Sequence, residues 1–226
     1  TGGGAMHLND ALGHKEGLHS TYNHHEQACA IAAEGYARES GKVAAICVTS
    51  GPGGTNAITG VLGGWQDSIP MFVISGQVKR ETTTWSTDVP LRQLGDQEFQ
   101  IVDTVKTMTK YAHMVTEPTE IRYHLEKAWF LCMNGRKGPV WLDIPLDVQA
   151  AVIESDELKG FDSAELDLKE NPVYDEKLTP EIIEKIKAAK RPVVFAGTGI
   201  RLSEGYEEFV KLVDKLGIPV VTAWNA

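Results

Sequence analysis

His25-Glu26-Gln27, followed one helix and one strand later by Thr49-Ser50-Gly51-Pro52-Gly53-Gly54-Thr55-Asn56, is the stretch that decides the fold. An acidic residue opens an alanine-rich helical pattern over residues 28–38, and an apolar strand over 43–48 then runs into a glycine-rich turn. In an open α/β sheet, ligands sit in the crevice outside the carboxyl ends of the strands. The order carboxylate, helix, strand, glycine turn therefore brings Glu26 and the turn to one such crevice. A glycine run alone says little. Its pairing with Glu26 in this order carries the reading.

Working outward, apolar runs alternate with helical patterns, which is the signature of parallel βαβ units. Residues 5–12 read as a helix, 20–23 as a short strand and 26–40 as a helix of small residues. A buried strand is expected at 43–48, a glycine-rich helix at 54–64 and a further strand at 71–75. Residues 79–97 are polar with little period and read as a long loop, the kind that serves as a lid or binding segment. Ile121, Leu125, Ala128 and Cys132 fall on one stripe of an amphipathic helix over 119–133, and a strand at 138–144 follows. Beyond an acidic stretch, Thr179 reads as a helix cap with Pro180 in the first turn. That helix runs to about 189 and is followed by a strand at 192–196, the turn Gly197-Thr198-Gly199, a helix at 204–216 and a strand at 218–224. The expected class is α/β: a parallel sheet flanked by helices over 1–153, a linker over 154–178 and an incomplete second α/β unit over 179–226.

Bulk properties exclude several classes. Hydrophobic residues make up 42% and charged residues 23% of the 226, as in globular domains. A net charge of −9 without a basic stripe argues against nucleic acid as a partner. No apolar run approaches the roughly 18 residues of a membrane span, and Thr1-Gly2-Gly3-Gly4 has no signal-peptide character. Cys29, Cys47 and Cys132 match no zinc spacing and read as small buried hydrophobes, consistent with a reducing, cytoplasmic compartment. With no initiator Met and a final strand that nothing follows, the chain reads as part of a longer one.

Glu26 is the first candidate for chemistry. Among alanines and glycines, a buried carboxyl has a raised pKa and exchanges protons near neutral pH. A glutamate in a first helical turn is equally favoured by the helix dipole, and helix position alone leaves both readings open. Gly51, Gly53 and Gly54 serve either a ligand or a turn with unusual dihedrals. His24 and His25, adjacent on an extended segment, point in opposite directions, so at most one faces the crevice. The remaining histidines have no metal-ligand spacing, and no metal ligands are assigned. A dinucleotide-binding oxidoreductase would need Gly-x-Gly-x-x-Gly, and Gly51-Pro52-Gly53-Gly54 lacks the third glycine in register.

His25-Glu26-Gln27 with Ala33-Glu34-Gly35-Tyr36-Ala37-Arg38, and the run Val48 through Asn56, resemble the acetolactate synthase group of thiamine diphosphate enzymes. Asp67-Ser68-Ile69-Pro70, Ser75-Gly76-Gln77-Val78 and Gly138-Pro139-Val140 continue the resemblance in the right order. It implies a pyrimidine-binding domain whose first strand precedes Gly2-Gly3-Gly4, and the start of a central domain at Gly197-Thr198-Gly199-Ile200-Arg201. In that family the central domain binds FAD in acetolactate synthase, and other nucleotides or nothing in relatives. By the same resemblance, Glu26 hydrogen-bonds N1′ of the cofactor's aminopyrimidine. The imino tautomer so promoted removes the thiazolium C2 proton and yields an ylide, while the cofactor carries the carbanion chemistry.

Thr49, Pro52, Gly53 and Asn56 fall where the family's turn packs around the pyrimidine, and Gln77 and Gln97 where it lines the substrate pocket. Asp96 stands where acetolactate synthases carry phenylalanine. The family's Mg²⁺-binding Gly-Asp-Gly segment has no counterpart, so thiamine diphosphate and Mg²⁺ are expected to be anchored by a domain outside this chain. The family's site forms between subunits, which implies a homodimer or tetramer. The implied reaction is decarboxylation of a 2-ketoacid with transfer of the acyl carbanion to an acceptor. A related decarboxylase, a carbon–carbon lyase or hydrolase, and for the isolated chain a non-catalytic interaction module, are the alternatives.

Overall fold

The computed structural model describes residues 1–168 and 174–224. Residues 169–173, within the expected linker, and 225–226, at the end of the expected second unit, lie outside the described residues. The chain divides into two compact units, Thr1–Glu165 and Leu166–Ala226.

The first unit is a parallel sheet covered by helices on both faces. A short helix, α1 (Met6–His14), precedes α2 (Glu26–Ser40), and strand β1 (Ala44–Val48) leads through the glycine turn into α3 (Pro52–Gln66). Strand β2 (Met71–Gln77), the one-turn helix α4 (Ile101–Val105), β3 (Tyr111–Met114), α5 (Ile121–Met133), β4 (Val140–Pro145) and α6 (Leu146–Gln149) complete it. The strands lie in the order β1-β2-β4-β3 and every neighbouring pair is parallel. Because side chains alternate along a strand, Phe72, Val140 and Leu142 meet Ala128 and Cys132 of α5 on one face. Trp141 points to the other face, where its ring lies beside Gly54 of α3 and Ile101 of α4. Strands buried on both faces read as continuous apolar runs, as β2 and β4 do.

Helix α2 begins where His25, in extended conformation, accepts the Gln27 N–H on its Nδ1 at 3.1 Å. It ends at Gly41, which adopts the left-handed conformation at φ 69°. Its buried stripe, Ala30, Ala33 and Ala37, carries no side chain beyond Cβ, so α3 packs close against it. A Cβ at Gly60 of α3 would stand 2.5 Å from the Ala30 Cβ. The end of α3 is tied back by Arg38, which donates to Glu34 Oε1 at 2.6 Å and also to Asp67 Oδ2. Across the sheet, His113 of β3 stacks on His124 of α5 with ring centroids 3.9 Å apart, and Tyr111 shares a 2.7 Å hydrogen bond with His124.

Several expectations change. No strand forms at 20–23; residues 15–25 are exposed irregular chain, because no described strand lies alongside to satisfy their backbone groups. Strand β3 and helix α4, not anticipated, lie downstream of the polar loop, which itself holds two 3₁₀ turns, Arg80–Thr82 and Thr84–Ser86. Part of the expected linker packs as structure: Phe161 lies edge-on to Tyr123, and its N–H reaches Glu126 Oε2 at 2.8 Å.

The second unit holds α7 (Leu178–Ala188), β5 (Val194–Ala196), α8 (Gly199–Leu202), α9 (Tyr206–Leu216) and β6 (Val220–Thr222), with β5 and β6 parallel. Thr179 does not cap: α7 starts at Leu178, two residues earlier than expected, and the Thr179 hydroxyl pairs instead with the Tyr174 hydroxyl at 2.6 Å. Cys132 is buried as expected, while Cys29 and Cys47 are only half-buried. No helix among the described residues is long and apolar enough to cross a membrane.

Candidate active site

Glu26 and the glycine turn meet at the carboxyl end of the sheet. Glu26 stands in the first turn of α2, half-buried, and Asn56 of α3 donates from Nδ2 to its Oε2 at 3.1 Å. The close approach of α2 and α3 through small residues is what lets a two-carbon and a three-carbon side-chain stem bridge the gap. The turn itself requires glycine at Gly51, whose φ of 54° is left-handed and whose Cβ would stand 2.2 Å from the Gln97 carbonyl oxygen. Gly53 is bare toward the site: a Cβ there would lie 2.7 Å from Thr49 Cγ2 and 3.7 Å from Glu26 Oε1. Thr49 also abuts Gly2, where a Cβ would come 2.6 Å from its Oγ1. Gly4 O presses on Gly76, so the opening glycines lie across the ends of β1 and β2.

Of the residues singled out from sequence, Glu26, Thr49, Gly53 and Asn56 share one small region. Pro52 is at the same turn, exposed, and its carbonyl accepts the Thr55 hydroxyl at 3.2 Å. Gln97 reaches the turn through its backbone, in left-handed conformation at φ 58°, while the residue itself is exposed. Gln77 does not face the crevice. It is 3% exposed, and its amide donates to Phe99 O at 3.0 Å and to Asp143 Oδ2 at 2.9 Å. Its Oε1 accepts the Val78 N–H at 3.0 Å. His25 is occupied as the α2 cap.

The group Gln77 serves was missed. Asp143 of β4 is 1% exposed and accepts the Ser75 hydroxyl on Oδ1 at 2.5 Å, while Trp141 Nε1 donates to the same Ser75 oxygen at 2.8 Å. Burial pushes the Asp143 carboxyl up to about 7, against the opposing pull of the Ser75 and Gln77 donors. A carboxylate inside an otherwise apolar strand was the visible signal, since such a group needs partners. Glu98, which ends the Asp96-Gln97-Glu98 segment just past the long loop, turns inward to hold that loop. It accepts the Thr84 N–H at 2.6 Å and the Leu94 N–H at 2.8 Å. Burial alone would raise its pKa, but these donors outweigh burial and hold it below the usual carboxylate range. Glu98 thus organises the loop, and the Gln77–Phe99 bond ties that loop to the sheet behind the turn.

Among the described residues, no group of three or more His, Cys, Asp or Glu is placed to hold a metal ion. The pyrimidine half of thiamine diphosphate fits what is present: a carboxylate with one oxygen directed over a glycine, beside a threonine methyl group.

Comparison with known proteins decides the family. Residues 1–107 match the thiamine pyrophosphate enzyme N-terminal TPP binding domain, and residues 180–226 match the central domain of the same enzymes. The chain belongs to the thiamine pyrophosphate enzymes. All seven candidate residues, from Glu26 to Gln97, fall within the first match. The acetolactate synthase large subunit of Lactococcus lactis subsp. lactis (strain IL1403) is 36% identical over 98% of this chain and 37% of its own length. The chloroplastic acetolactate synthase of Arabidopsis thaliana is 34% identical over 98% of this chain and 32% of its own length. The large subunit from Haemophilus influenzae is 32% identical, with 98% and 37% covered. The chain thus spans about a third of the length of these relatives. It corresponds to part of an acetolactate-synthase-like thiamine pyrophosphate enzyme.

Proposed function

We propose that the intact protein uses thiamine diphosphate to decarboxylate a 2-ketoacid and join the remaining acyl unit to an acceptor, and that this chain supplies the pyrimidine face of the site. The observation that carries the reading is the meeting of Glu26 with the glycine turn through Asn56, at 3.1 Å, in the crevice at the carboxyl end of a parallel sheet. When bound, the cofactor supplies the electron sink for carbon–carbon chemistry. Glu26 would hydrogen-bond the pyrimidine ring nitrogen through Oε1, and Thr49, Gly53 and the rest of the first turn of α3 would form the wall the ring packs on.

Three parts of the reading need more than this chain. Mg²⁺ and the diphosphate are held by another domain; the relatives carry about two thirds of their length beyond the matched part. A second copy of the protein completes the site, which makes the assembly a homodimer or tetramer. FAD is a candidate for the central domain, whose match begins at residue 180. Asp96 of the long loop, in place of a phenylalanine, favours an acceptor different from that of the acetolactate synthases, and a related decarboxylase or lyase is the second reading.

Glu26→Gln in the intact gene product, loaded with thiamine diphosphate and Mg²⁺, tests this. Exchange of the cofactor's C2 proton, followed by NMR in heavy water, is expected to slow by about 100-fold or more. Near-normal exchange overturns the assignment.

A further inference from the structure

The two oxygens of the Glu26 carboxylate are not equivalent. Oε2 accepts the Asn56 amide at 3.1 Å, and Oε1 lies on the side of Gly53, where the missing Cβ leaves room. A glutamate at a half-buried helix start has three side-chain torsions, and only a partner fixes which way its carboxylate faces. Here that partner comes from another helix, thirty positions along the chain, and it grips the oxygen farther from the glycine. Asn56 is itself exposed, so the pair is open to a ligand entering at the turn.

We infer that Asn56 is a positioning residue: its amide holds Oε2 so that Oε1 is presented over Gly53 to the ring nitrogen of the cofactor. The sequence resemblance assigns Asn56 to the wall around the pyrimidine. The geometry commits its N–H to Glu26 instead. An aspartate would keep the shape of Asn56 but replace the donor with a second carboxylate facing Oε2. Like charges at that distance turn Glu26 away, so Asn56→Asp is expected to be worse than Asn56→Ala. A residue that merely fills space or starts α3 gives the opposite order, because aspartate is the closer isostere.

The inference rests on the proposed cofactor chemistry, and two measurements keep the failures apart. The first is calorimetric titration of the intact gene product, with Mg²⁺, by thiamine diphosphate and by an analogue carrying C–H in place of the ring nitrogen. Wild type is expected to prefer the natural cofactor; Asn56→Ala is expected to lower that preference by about tenfold and Asn56→Asp by more. The second is the crystal structure of cofactor-free wild type and Asn56→Ala. The Glu26 carboxylate is expected in one orientation in the wild type and turned away from Gly53 in the variant. An unmoved carboxylate, or Asn56→Asp matching wild type, overturns the role of Asn56 while the cofactor assignment stands. A wild type that holds the Glu26–Asn56 bond yet shows no preference between the two ligands overturns the cofactor assignment, and the inference with it.

Discussion

Asp143, the most deeply buried acid among the described residues, contributes to the pH response of the first unit. It accepts from Ser75 and Gln77 with no cation against it among the described residues, and burial pushes it up to about 7, well above the pKa of an aspartate in an unfolded chain. An acid whose pKa is higher folded than unfolded binds more protons when folded. Its contribution to stability is therefore largest below about pH 4 and is lost as pH rises through about 7. His113, held down to about 4 by burial and by the neighbouring charge of His124, works in the other direction, and its contribution is lost as pH falls below about 6.5. Asp143→Asn separates the two, since both proteins keep the histidines. Asparagine still accepts from Gln77 but leaves the Ser75 hydroxyl proton without an acceptor, a cost of about 1–3 kcal/mol. Because only the wild type gains from protonation, the variant's deficit in urea unfolding is expected to be greater at pH 5 than at pH 8. A deficit that is constant, or greater at pH 8, sinks the idea that Asp143 titrates in the folded protein.

The fold of the site is set by how close two helices come. α2 presents Ala30 to Gly60 of α3, and a methyl group at Gly60 would stand 2.5 Å from the Ala30 Cβ and 3.0 Å from the Ile31 nitrogen. Gly35, on the exposed side of α2, has nothing within 4 Å of the same position. The two glycines thus give opposite results. Gly35→Ala is expected to stabilise by about 0.5–1 kcal/mol, the helix propensity gain. Gly60→Ala is expected to destabilise by about 1–3 kcal/mol, because backbone must move to admit the methyl. Urea midpoints of the two variants check this; a shared sign refutes the close packing. The periodicity of the sequence made α2, β1, α3, β2, α5 and β4 legible, and with them the meeting of Glu26 and the turn. Glu34, Arg38 and Asp67, which carried the resemblance, are the ion-paired staple between α2 and α3. β3 was hidden because its four residues, only one of them fully buried, show neither alternation nor a continuous apolar run. Residues 20–23 have strand-like composition, but a strand is a property of two segments and no described one lies alongside. The partnership of Ser75, Gln77 and Asp143 depends on the register of β2 against β4, which pairs Ser75 with Asp143 and which no local pattern states.

At the scale of the whole molecule, the two units differ in what holds them. The first has a sheet covered on both faces, with Trp141, Leu142, Val73 and Val105 fully buried. In the second, Ala196 is the one buried hydrophobic residue among those described, and Phe195 beside it is 72% exposed. Ile182 and Ile183 of α7 and Val210 and Leu212 of α9 are exposed as well. Burial of a large aliphatic or aromatic side chain contributes about 1.5–3 kcal/mol, and a two-stranded sheet without such burial is marginal in water. Its helices are no better placed, since isolated helices shorter than about 12 residues rarely persist. Hydrogen exchange on the 226-residue chain is therefore expected to separate the units. Amides of β2 and β4 should persist for hours, whereas those of α7, β5, α9 and β6 should exchange within the first seconds of labelling. In a longer gene product that continues the central domain, the same segments should gain protection while β2 and β4 stay as they were. Slow exchange in β5 and β6 of the 226-residue chain would show that the second unit carries a core of its own.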